Sequence, residues 1–266
     1  MKKYMFILTV LLSTVVAMPG GETTLRAEDV GVDLSAGAVL LTFDDVFVSQ
    51  WLAAAEIFKQ YDAHATFFVS QPDRLSKQQI ADLTRLHEAG HSIGCHSMRH
   101  HKAVDFVKKH GLEKYLQAEI SPAMRALQAA GFSPSAFAYP CSQNNSQTDA
   151  ALLKVFRHLR TGTGLPKGKR IRDLDTIFTS VDKIAQTGCL IGTGIDNAGT
   201  AKRPDYVEQV CEAMQRAKSR REVLVLYAHN ISPSGPGHHL PPQALRKILA
   251  HAKKIELPAI GYDELP

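Results

Sequence analysis

The sequence predicts an α/β fold, a single, incomplete (β/α) barrel over residues 38–266. Three observations carry this. Short apolar runs alternate with segments of helical period, the pattern of parallel strands covered by helices. No linker rich in Pro, Gly or Ser divides the span, and it holds no internal repeat. The residues with the most chemistry fall just past the apolar runs, at the strand ends where such barrels place their sites.

The elements follow in order. Lys2 and Lys3 precede the apolar run Tyr4 to Ala17. That run is shorter than the ~20 residues of a membrane helix and suits a secretory leader. Residues 1–27 are therefore expected to be a leader, cleaved after Ala17 or Ala27, and the protein exported to the periplasm or beyond the cell. A retained membrane anchor is the alternative reading. No stable membrane insertion is expected after cleavage.

Ala38 to Phe43 is a continuous apolar run, as in a strand buried on both faces. Trp51, Leu52, Ala55 and Phe58 predict a helix over 49–60. Ala65 to Val69 is the second strand. Ser76 and Gln79 form a capping box that opens a helix, stopped by Gly90. His91 to Cys95 is a short strand. Residues 112–130 are helical in period, and Ser121-Pro122 marks a kink or a fresh start. Ala136 to Tyr139 is a strand. Helices are expected over 147–157, 204–219 and 241–253, with strands at Val223 to Ala228 and Leu257 to Ile260.

Composition narrows the function. The 266 residues are 44% hydrophobic and 21% charged, which excludes disorder and a small disulfide scaffold. The net charge of +5 includes Lys2 and Lys3, and the remainder is too mild to indicate nucleic acid. The four cysteines, 95, 141, 189 and 211, form no C-x-x-C pair, which excludes a zinc ribbon or thioredoxin-type motif. Free thiols are the simplest expectation; Cys189 with Cys211 is the preferred pairing if one forms.

Three strand ends carry candidate chemistry. Asp44 and Asp45 follow the first strand, where a turn can bring both carboxylates into one pocket; one would bind a cation and the other act as a base. A solvated turn or a helix cap is the alternative. His96 and His100 follow the third strand at a spacing of four, so a helical turn would put both imidazoles on one side. The alternative is a His-rich surface turn, and His101 reads as a neighbour. His229 ends the strand 223–228 and reads as a general acid or as a structural histidine.

Thr42-Phe43-Asp44-Asp45, His96-Ser97-Met98-Arg99-His100, Phe137-Ala138-Tyr139-Pro140 and Leu226-Tyr227-Ala228-His229 occur in that order. Together they resemble the motifs of NodB-type polysaccharide deacetylases, carbohydrate esterase family 4. The resemblance covers 38–266 and implies that family's distorted barrel. It implies that Asp45, His96 and His100 hold a divalent metal, zinc first and cobalt, nickel or iron also compatible. It makes Asp44 the base, His229 the acid and the Cys141 backbone N–H an oxyanion donor. The implied activity is deacetylation of an N-acetylated glycan. An O-acetyl esterase, an amidase on a small molecule and a catalytically weak glycan-binding relative are the competing readings. The partner expected is an acetylated glycan; oligomeric state is left open.

Two positions depart from the family pattern. Ala138 stands where an arginine often pairs with the base, so the base is less well oriented unless another arginine reaches in; Arg99 and Arg172 are two candidates, and the choice is open. Cys141 stands where an aromatic usually follows the proline. The family's fourth motif, an acid-tuning Asp with a Trp, has candidates in Asp182, Asp196 and Asp205-Tyr206. Trp51 reads as helix core. Lys167, Lys169, Arg170 and Arg172 read as a solvated loop, and Gly237-His238-His239 as a loop at the site mouth.

Overall fold

The computed structural model describes residues 32–196, 204–234 and 238–266. The leader with its two cleavage positions, and Gly237, lie outside the described residues. No described helix is long and apolar enough to cross a membrane.

Seven parallel strands make a closed barrel. β1 (Ala38–Asp45), β2 (Thr66–Val69), β3 (Ser92–Cys95), β4 (Ala136–Ala138) and β5 (His158–Thr163) are neighbours in sequence order. After β6 (Phe178–Ser180), β7 (Cys189–Gly194) follows β5, and β8 (Glu222–Ala228) follows β7 and pairs back onto β1. The distortion lies at the N-terminal end of the barrel. There β1 meets β2 only from Thr42 onward, and β8 meets β7 only near Leu226. The antiparallel β6 covers the free stretch of β8. The two-stranded pair of β9 (Asn230–Ile231) and β10 (His239–Leu240) follows, and β11 (Ala259–Ile260) lies beside Val39 and Leu40.

Strand parity sorts the residues. Ala38, Leu40, Phe68, Ala138, Leu190 and Val225 fill the barrel interior. The opposite parity, with Val39, Leu41, Phe43, Phe67 and Val69, packs beneath the helices. Trp51, Phe58 and Phe67 are fully buried there, and the Trp51 and Phe67 rings stack with centroids 5.0 Å apart. Each such side chain contributes about 1.5–3 kcal/mol by leaving water. Val32 and Leu34 also pack on the inner cluster, so the folded unit begins before residue 38.

The helical segment expected over 49–60 is two short helices, α1 (Val48–Ala53) and α2 (Ala55–Gln60). α3 (Lys77–Glu88) carries the expected capping box: the Gln79 N–H donates to Ser76 Oγ and the Ser76 N–H to Gln79 Oε1. α4 (Ala103–His110) is an addition that its lysine-rich sequence did not announce. The stretch 112–129 is α5 (Leu112–Tyr115), a π turn (Leu116–Ile120) and α6 (Ser121–Ala129), so Ser121-Pro122 is a fresh start. α7 (Ser146–Leu152), α8 (Val181–Ile184), α9 (Tyr206–Arg220) and α10 (Pro242–Lys254) complete the set. All four cysteines are free, so the Cys189–Cys211 pairing is not formed.

Candidate active site

The C-terminal ends of the strands open into a cavity of about 590 Å³. Asp44, Asp45, His96, His100, Cys141 and His229 all line it, although they come from four separate strand ends. Asp44 keeps the inward parity of Leu40 and Thr42 and is buried. Asp45 would face outward by parity, but its φ of 83° turns the chain and brings it to the same cavity. Neither aspartate caps α1, whose N-cap is Phe47.

Asp45, His96 and His100 offer ligand atoms that all lie within 4.8 Å of one another. His100 Nε2 is 3.5 Å and His96 Nε2 3.9 Å from Asp45 Oδ1. The backbone between the histidines is not the helical turn expected. Ser97 and His100 are left-handed, with φ of 67° and 61°, and the His100 N–H donates to Ser97 Oγ at 2.9 Å. A side-chain turn thus replaces the helical one as the means of gathering the two rings. His96 Nδ1–H donates to the Ala138 carbonyl at 2.8 Å, which leaves the Nε2 lone pair towards Asp45. Burial pushes His96 down to about 4, so its imidazole is neutral at neutral pH.

The loop of the histidines is held from behind by the π turn. Glu119, fully buried, accepts from the Arg99 N–H at 2.8 Å and from His101 Nδ1 at 2.7 Å. The Met98 N–H donates to its carbonyl oxygen. A π turn is a common device for presenting a side chain at a functional site. His101 is thereby engaged away from the ligand set.

The arginine missing at Ala138 comes from another strand. Arg160, on β5, is 1% exposed and its guanidinium donates to Asp44 Oδ2. Neither replacement suggested by the sequence serves: Arg99 pairs with Asp73, and Arg172 with Asp173 and Glu212. Burial pushes the Asp44 carboxyl up. The charges of Arg160 and His229, with the hydrogen bond from Arg160, outweigh it and hold the group below the ordinary carboxylate range. Asp44 Oδ1 is buried with no hydrogen-bond partner among the described residues. Arg160 also stacks over Tyr227, 4.9 Å from its ring centroid. Gly162, Gly192 and Gly194 leave room for that ring, since a Cβ at any of them would approach it or its strand.

Across the cavity, His229 Nδ1–H donates to Asp196 Oδ2 at 2.6 Å. Asp196 is thus the acidic partner of His229, while Asp182 pairs with Arg221 and Asp205 with Arg170. Burial lowers the His229 pKa, but the hydrogen bond to Asp196 and the charges of Asp44, Asp196 and Asp45 raise it above its usual value. Trp51, core as expected, also donates Nε1–H to the His229 carbonyl at 2.8 Å. The His238 ring lies 5.0 Å from that of His229 and lines the cavity. Cys141 is exposed on the rim with φ of 54°. The basic loop is solvated as expected, with Lys167, Lys169 and Arg172 exposed, and Arg170 also grips Glu212 at 2.6 Å.

Comparisons with known proteins agree with this picture. The polysaccharide deacetylase family model matches residues 31–155. A search of curated proteins finds no match. Among solved structures, the chain is similar to a Streptococcus mutans CE4 esterase (18% identity, TM-score 0.56), with 86% of this chain and 87% of that one covered. It is similar to the family 4 carbohydrate esterase from Streptomyces lividans in complex with acetate (16%, 0.55; 84% and 91% covered). The peptidoglycan deacetylase PdaC from Bacillus subtilis is a third (15%, 0.50; 87% and 91%). Residues 31–155 match the polysaccharide deacetylase family model, and the chain as a whole has the fold of the NodB-type deacetylases of carbohydrate esterase family 4.

Proposed function

We propose that this protein is an exported, metal-dependent hydrolase that removes acetyl groups from an N-acetylated glycan. The observation that carries the proposal is one cavity holding three parts at once: the triad Asp45, His96 and His100, the Arg160-held Asp44, and the Asp196-held His229. Two imidazoles and a carboxylate suit zinc, and also cobalt, nickel or iron. A divalent cation bound there supplies Lewis acidity to the acetyl carbonyl and to the attacking water.

Asp44 takes the proton from that water through its free oxygen Oδ1, while Arg160 occupies Oδ2. His229, kept protonated by Asp196, gives its proton to the departing amine. The Cys141 N–H, on the rim, is the proposed donor to the oxyanion. The reading of a silent glycan-binding relative drew on the missing arginine at Ala138, and Arg160 removes that ground. Export rests on the Lys2-Lys3 and apolar-run pattern.

The test is acetate release with metal content measured on the same samples. Asp45→Asn is expected to lose metal and activity together. Asp44→Asn is expected to keep metal and lose roughly 100-fold or more in kcat, the scale of a lost general base. N-acetylated chitooligosaccharide and O-acetylated xylan as parallel substrates separate deacetylase from esterase. Full activity in both variants would sink the proposal.

A further inference from the structure

A second cavity, about 420 Å³, lies beside the first, and His100 lines both. Its other walls are His101, Lys102, Asp105, Phe106, Lys109 and His110. It is built almost wholly by α4 and the residue before it. Lys102, Phe106, Lys109 and His110 stand three and four positions apart and so share one helix face.

An amphipathic helix ordinarily turns its phenylalanine to the core and its lysines to water. Phe106 does pack on the core, 5.7 Å from the buried Tyr115 ring, and the rest of its ring lines the open cavity between His101 and His110, at centroid distances of 5.3 and 4.8 Å. Lys102 and Lys109 are exposed, and neither ammonium has a hydrogen-bond or ion-pair partner among the described residues. Asp105 is the single carboxylate on the wall, against two lysines and three histidines. The helix is fixed relative to the active site at both ends of the cavity. Its Asp105 N–H donates to Gln143 Oε1 at 2.9 Å, in the loop that carries Cys141, and its start is three residues beyond His100.

A half-buried aromatic ring offers an apolar face to the C–H surface of a pyranose. Two unpaired ammonium groups beside it attract an anion. We propose that this cavity is a subsite for an acidic sugar, one bearing a carboxylate, adjacent to the acetylated residue in the main cavity. The proposal rests on the deacetylase reading. It narrows the substrate from N-acetylated glycans in general to those in which acetylated and carboxylate-bearing sugars are neighbours. The carboxylate can belong to a uronic acid or to an ether-linked acid on the ring.

Three tetrasaccharides test it with the full metal-loaded protein, by calorimetric binding and by acetate release. One is neutral N-acetylchitotetraose. The second alternates N-acetylglucosamine with glucuronic acid. The third alternates N-acetylglucosamine with its lactyl-ether derivative, as in peptide-free peptidoglycan strands. At low salt at least one acidic compound is expected to bind about tenfold tighter than the neutral one, the scale of two partly exposed ion pairs. The preference should shrink as salt rises. The double variant Lys102→Glu/Lys109→Glu should bring the acidic-to-neutral ratio to about one, with its thermal midpoint recording that it is folded. Phe106→Ala should weaken acidic and neutral compounds alike. Whichever acidic compound shows the preference identifies the source of the carboxylate. Equal binding of all three, or a preference that survives the double variant, overturns the subsite. Acidic preference in binding without acetate release from any compound supports the subsite and sinks the deacetylase reading instead.

Discussion

Arg160 and Asp44 form a buried pair in which neither charge can be left alone. Removing the guanidinium strands a carboxylate that burial alone would push up. Arg160→Met is therefore expected to destabilise the fold by about 3–5 kcal/mol and to lower kcat as Asp44 loses its orientation. Arg160→Lys keeps the charge but not the fork, so it should recover stability more than rate. Denaturant titration beside acetate-release kinetics checks both. Asp196→Asn addresses the acid. Asp196 raises the His229 pKa, so the protonated form persists to higher pH than in a free histidine. Without that charge the value falls, with only Asp44 and Asp45 left to oppose burial; the alkaline limb of the kcat profile should move to lower pH. An unmoved limb would mean that His229 does not set it. The triad and His229 were legible because each sits in an ordered motif just past an apolar strand. Arg160 was not, because no motif surrounds it and only barrel closure brings β5 near β1. Asp196 could be placed among three candidates but not chosen, since the choice depends on which strand end faces His229.

At the scale of elements, what was legible followed hydrophobicity. β1, β2 and β8 are apolar on both faces and stand out as continuous runs. β5 and β7, His-Leu-Arg-Thr-Gly-Thr and Cys-Leu-Ile-Gly-Thr-Gly, do not. Their inward positions hold Arg160 and the glycines that clear space for Tyr227, so the site itself erases the strand signal. The Gly/Thr alternation that the two strands share in register, Gly162 beside Gly192 and Thr163 beside Thr193, was the available clue. The same crowding makes a prediction. A Cβ at Gly162 would lie 2.4 Å from Ser142 Oγ and 2.9 Å from the Tyr227 ring, whereas at Gly194 the nearest atoms are 3.3 Å away. Gly162→Ala should cost about 1–3 kcal/mol, the range for overpacking, and lower activity through the displaced Tyr227. Gly194→Ala should be the milder of the two. Thermal unfolding of both variants decides it; a reversed order would contradict the packing described.

Over the whole molecule, the two halves of the chain contribute different parts. The segment that matches the family model, 31–155, contains Asp44 and the proposed ligands Asp45, His96 and His100; Arg160, Asp196 and His229 lie beyond it. The halves are joined where β8 pairs with β1, a contact that sets Phe43 beside Ala228 and hence Asp44, the proposed base, near His229, the proposed acid. Thr42 and Leu226, bonded across that seam, are 184 positions apart. Closing so long a loop is entropically slow compared with gathering neighbours in sequence. In time, then, the molecule should become a metal binder before it becomes a catalyst. On refolding by dilution from denaturant with cobalt present, the d–d absorption of the ligated ion should return ahead of acetate release. The lag between the two traces is the time the seam takes to zip, and superimposed traces would show that the triad, too, waits for the barrel to close.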